Sequence, residues 1–68
     1  MFIELTYLGD MKITVNINKI IAYSRNGKDE NGTVINFGMD DYITVYESYE
    51  QVKKLIKDEI LAERGYAG

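Results

Sequence analysis

Paired carboxylates are the side chains in this chain with the types and spacing for general acid–base work. The candidates are Asp29-Glu30 and Asp40-Asp41. Each pair sits among turn-forming residues, where short acidic side chains solvate a loop tip and bond to nearby backbone. A turn reading therefore accounts for both without catalysis. The chain has no Cys and no His, so thiolate and imidazole-activated nucleophiles are excluded. Ser24 and Ser48 lack the strand-turn-helix glycine context of an activated serine. Ser48 stands three residues before Gln51, the spacing of a reciprocal helix cap. The run from Asn26 to Gly32 holds calcium-ligand residue types in Asp29, Glu30 and Asn31. It lacks their alternating spacing and the closing glutamate. No catalytic residue, metal site or cofactor is expected, and the chain does not read as an enzyme.

The tyrosines carry more information. Of six, Tyr7, Tyr23, Tyr42 and Tyr46 fall on strand-like runs and Tyr49 opens a helix-like one. Three roles fit: a stacking platform for single-stranded nucleic acid, a protein-binding face, or plain strand propensity at the edge of a core. Asp41 and Glu47 flank Tyr42 and Tyr46, and the formal net charge is −3, so binding to a phosphate backbone is disfavoured. Tyr7, Tyr23, Tyr42 and Tyr46 are the candidate interaction surface. Lys53, Lys54 and Lys57 are followed at once by Asp58, Glu59 and Glu63, the pattern of a solvated, salt-bridged helix face.

The elements that position these groups follow from periodicity. Residues 2–8 alternate, with Ile3, Leu5 and Tyr7 on one face; residues 11–17 alternate again, with Ile13, Val15 and Ile17 together. Gly9-Asp10 joins them as a tight turn, making a hairpin. Asn16 and Asn18 bracket Ile17 and predict a bend. Further strands are expected over 19–24, 33–37 and 42–46, with a loop from Arg25 to Gly32 and a turn at Gly38-Met39-Asp40-Asp41. After Ser48 the apolar period changes: Val52, Leu55, Ile56 and Ile60 make one helical stripe. Glu50 and Lys54 have the spacing of a favourable pair. The helix is expected over 49–64 with Gly65 just past its end. The predicted fold is a single α+β domain: a small antiparallel meander of about five strands, then one amphipathic helix packed on it.

At 68 residues, with no disulfide to support it, such a domain is near the lower limit for folding alone, and a homo-oligomer is expected. No apolar run approaches the ~20 residues of a membrane span, and Glu4 interrupts any leader-like stretch, so a cytoplasmic protein is expected.

The ordered residues also resemble a known family. Ile3-Glu4-Leu5-Thr6, Leu8-Gly9 and Val15-Asn16 followed by Ile20-Ile21 look like the first half of the small FlbD/SwrD-type flagellar proteins. Gly32-Thr33-Val34-Ile35-Asn36-Phe37-Gly38, then Val45-Tyr46-Glu47-Ser48 leading into Val52 and Ile56, look like the second half. Gly9-Asp10 replaces the family's usual Asn-Gly turn, and the Arg25–Gly32 loop is longer and more charged. The resemblance implies a cytoplasmic motility accessory protein without enzymatic activity, with protein partners among flagellar motor components. The expected function is a non-catalytic protein–protein interaction module, a dimer that pairs strand edges or packs its tyrosine-bearing faces. The other reading is a phage-encoded or regulatory small protein that binds nucleic acid weakly through its sheet.

Overall fold

The computed structural model describes residues 1–27 and 31–64. Five strands precede one helix: β1 (Phe2–Tyr7), β2 (Met11–Asn16), β3 (Ala22–Arg25), β4 (Thr33–Gly38), β5 (Asp41–Val45) and α1 (Tyr49–Glu63). This is the expected α+β order. The strands are divided between two antiparallel sheets, β1-β2 and β3-β4-β5, where a single meander was expected.

The first sheet is built on strict alternation. Ile3 lies opposite Val15 and Leu5 opposite Ile13, and all four face inward; Leu5 is fully buried. The connection is a short 3₁₀ turn at Leu8–Asp10, so β1 stops one residue before the expected boundary. Gly9 (φ 73°) and Asp10 (φ 58°) are both left-handed, a conformation open to glycine and tolerated by a short polar side chain.

Asn16 explains why the two sheets are separate. Its side chain accepts a hydrogen bond from the Asn18 backbone N–H at 3.0 Å, and a 3₁₀ turn follows at Ile17–Lys19. Ile20 N–H closes that turn on the Ile17 carbonyl. The local bonds divert the backbone from the ladder, so the third strand begins at Ala22 rather than at Lys19 and takes in Arg25.

In the second sheet Tyr23, Ile35 and Ile43 are in register on the inner face. The register shifts between Asn36 and Gly38, and Gly38 then pairs with Asp41 across the Met39-Asp40 turn. Strand β5 starts one residue earlier than expected and ends at Val45, so Tyr46 lies just beyond it.

Residues 45–48 bind the parts together. Tyr46 N–H donates to the Thr6 carbonyl at 2.9 Å. Glu47 takes the Thr6 backbone N–H on one carboxylate oxygen and the Thr6 hydroxyl on the other, each at 2.8 Å. The carboxylate thus stands in for the strand carbonyl that β1 lacks on that side. Lys12 donates to the same Thr6 hydroxyl at 2.8 Å. The fully buried Thr33 donates its hydroxyl to the Glu47 carbonyl. Ser48 then caps α1: its Oγ accepts from Gln51 N–H at 3.1 Å, and Gln51 Oε1 accepts from Ser48 N–H at 2.8 Å. The helix ends at Glu63 with Arg64 as its cap; Gly65 lies outside the described residues, as do Asp29 and Glu30 of the Arg25–Gly32 loop. Val52 from α1 joins Ile3, Leu5, Val15, Ile35 and Val45 in one core.

Glycine 32 sits against this junction. Its φ is 98°, and a Cβ there would lie 2.6 Å from the Val45 carbonyl oxygen. Gly32→Ala is expected to destabilise the fold by roughly 2 kcal/mol or more in urea unfolding. Gly27 has open space around it, so Gly27→Ala is expected to be near neutral. Glu47→Ala leaves the Thr6 N–H without its acceptor and is expected to cost about 1–3 kcal/mol. Glu47→Gln keeps one acceptor and should cost less, and equal stability of Glu47→Ala and the parent protein would contradict the role given to Glu47.

Candidate functional site

A concave surface lies on the side of the molecule where β3 meets α1. Tyr23 projects from the inner face of β3 and Tyr49 is the first residue of α1; their rings pack 5.3 Å apart, tilted by 37°. Arg25, two residues along the same strand and so on the same face, lies 4.6 Å over the Tyr49 ring and bonds to Glu50. A cation–π contact and an ion pair therefore fasten β3 to the first helical turn.

Beside this fastening lies a hollow of 430 Å³ formed by Ile17, Ile20, Ile21 and Ala22 on the strand side and by Tyr49 and Ile56 on the helix side. It continues into a second hollow of 300 Å³ bordered by Lys53, Lys57, Ile60 and Leu61; Tyr23 and Ile56 line both. Together they make an apolar groove along the helix with lysines on its rim.

Electrostatics at the groove follow from these contacts. The Glu50 carboxyl is held below the ordinary carboxylate range, first by a backbone N–H at the helix start and then by the Arg25 hydrogen bond. The Tyr23 phenol is pushed above its ordinary value, first by removal from water and then by its neighbour Tyr49. Because Glu50 is engaged by Arg25, Lys54 pairs with Asp58 at 2.9 Å instead of with Glu50.

The four tyrosines expected to form one surface are dispersed. Tyr23 is in register with Ile35 and Ile43 inside, whereas Tyr42 is in register with Asn36 and Ala22 on the opposite face. Tyr42 is 61% exposed and Tyr46 57%. Tyr46 lies past β5 in a separate hollow with Leu8, Asn26, Asn31 and Thr44. Tyr7 is half-buried at the end of β1 opposite Met11. Of these four, Tyr23 lines the groove. Among the residues expected to be structural, Gly9, Asp10, Asn16, Gly38 and Ser48 occupy turns, a cap or a strand end. Asp40 is exposed at the tip of its turn.

Sequence reasoning did not single out Ile17, Ile20, Ile21, Arg25 or Tyr49 as groove residues. The one available signal was the apolar run Ile20-Ile21-Ala22, longer than a half-buried strand requires. Among the described residues, no group of three or more His, Cys, Asp or Glu side chains is placed to hold a metal ion. No helix among them is long and apolar enough to cross a membrane. No protein-family model, curated protein or solved structure matches the chain.

The Arg25–Glu50 link has a pH signature. A carboxyl whose folded-state pKa is lowered contributes stability that is fully present above its unfolded value and is lost as pH falls through the lower folded value. Glu50→Gln is therefore expected to lower stability at neutral pH and to converge on the parent protein as pH falls below the ordinary carboxylate range. Urea unfolding across that range checks it, and a stability gap that widens with acid would contradict the assignment.

Proposed function

We propose that this chain is a non-catalytic protein–protein interaction module working through the β3–α1 side, in the role of the motility accessory proteins its sequence resembles. One observation carries the reading. Strand β3 hydrogen-bonds β4 on one edge and has no strand neighbour on the other among the described residues, and that free edge borders the apolar groove. Ile21, just ahead of β3, is 71% exposed. A free edge beside apolar surface is a pairing site unless something covers it.

Three of the polar groups near the helix start have structural partners that support the same reading. Ser48 caps the helix, Glu47 joins the sheets, and Glu50 holds Arg25. The dispersal of Tyr23 and Tyr42 to opposite faces removes the row of stacking rings that sequence-tolerant nucleic-acid binding uses. Partners among flagellar motor components belong to this proposal through the resemblance alone, and location in the cytoplasm through the resemblance and the sequence pattern. Self-association would use a strand edge away from the groove, such as that of β2.

A photo-crosslinking amino acid at Ser24, on the β3 edge, tests the proposal in the source organism. Glu4, on the outward face of β1, is the comparison position. Crosslinks from Ser24 but not Glu4 to a flagellar motor protein are expected, together with reduced swimming when the gene is deleted. Unchanged swimming, or crosslinks to nucleic acid alone, would overturn it.

A further inference from the structure

We infer that the β3 edge takes an extended segment of a partner protein as an added strand, and that this segment alternates apolar residues and carries acidic ones where it passes the helix. The inference rests on the interaction reading above and names the chemistry of the partner. Strand addition follows from the free edge of Ala22–Arg25, whose backbone groups are ready to continue a ladder. An added strand points alternate side chains to one face. On the α1 side those side chains enter the groove lined by Tyr23, Ile56 and Ile60.

Charge selects the occupant. The cations near the groove divide into two sets. Arg25 is held by Glu50, and Lys54 by Asp58. Lys53 and Lys57, which border the groove, have no carboxylate within ion-pair distance among the described residues. They stand four residues apart on one helix, the spacing at which like charges repel. Glu50 is the acidic group near Lys53, and its carboxylate is already bonded to Arg25. An anionic side chain on the incoming strand relieves that repulsion and fixes the direction of approach. A second copy of this chain pairing β3 with β3 would bring a further Lys53 and Lys57 toward the same groove, so the charge pattern favours a different, acidic partner.

The test uses the whole chain, isotopically labelled, with blocked synthetic peptides. The peptides are about seven residues long, enough to span β3 with overhang. Valine and isoleucine alternate with threonine, and the flanking pair is either glutamate or lysine. The glutamate peptide is expected to shift the amides of residues 22–25 and of the groove face of α1. The lysine peptide should bind at least about tenfold more weakly, and added salt should narrow the gap. The double substitution Lys53→Glu and Lys57→Glu lies on an exposed helix face and is expected to keep the helical circular dichroism while reversing the preference. Equal binding of both peptides would overturn the inference. So would shifts centred on Leu8, Thr44 and Tyr46, no shift at millimolar peptide, or concentration-dependent shifts at 22–25 without peptide. If the peptides fail while Ser24 still crosslinks a protein, only the acidic-strand inference falls. If both fail, the interaction reading falls with it.

Discussion

The carboxylate of Glu47 is the contact on which this small fold depends. It receives both the backbone N–H and the hydroxyl of Thr6, a residue 41 positions away in the chain. Two sheets that share no ladder are thereby joined along β1, with Tyr46 N–H to the Thr6 carbonyl as the adjoining bond. The Glu47 carbonyl also accepts from buried Thr33, and the next residue caps the helix. A chain of this length has a small core, and its net stability is a small difference between large opposing quantities. Unsatisfied backbone groups on β1 would be a large fraction of that difference. The carboxylate at the seam satisfies the Thr6 N–H, Tyr46 N–H satisfies the Thr6 carbonyl, and the residue after Glu47 starts α1.

The position of α1 has a consequence for the surface. Its buried side supplies Val52 to the core, with Leu55 and Ile56 packed against it. Its first turn is fastened to β3 through Tyr49 and Glu50. The helix therefore lies alongside the edge strand, and the space between them is the apolar groove. The β2–β3 connection contributes Ile17, Ile20 and Ile21 because Asn16 ended β2 early. The groove is thus a product of the same local bond that separated the sheets.

Much of this was legible in local patterns, and the remainder depended on distant ones. Alternation in 2–8 and 11–17 marked the first hairpin, and Ser48 with Gln51 marked the helix start, because each signal lies within a few residues. The pairing of Glu47 with Thr6 has no local signal, because the two residues lie 41 positions apart. The dispersal of the four tyrosines has a related cause. Period-two patterning says which residues of one strand share a face, but cross-strand register decides which face that is. Tyr23 and Tyr42 went to opposite sides because Tyr23 meets Ile35 and Tyr42 meets Asn36. Lys54 changed partners because Arg25, remote in sequence, had claimed Glu50.

The claim that the seam at Glu47 makes one cooperative unit of two sheets is tested most directly by native-state hydrogen exchange. The decisive amides are Thr6 and Tyr46 at the seam, compared with Leu5 in the first sheet and Ile35 in the second. The expected result is that all four exchange through the same global opening, with equal free energies and equal denaturant dependence. Thr6 and Leu5 exchanging through a smaller opening that leaves Ile35 protected would show the hairpin to be an independent unit and would contradict the account.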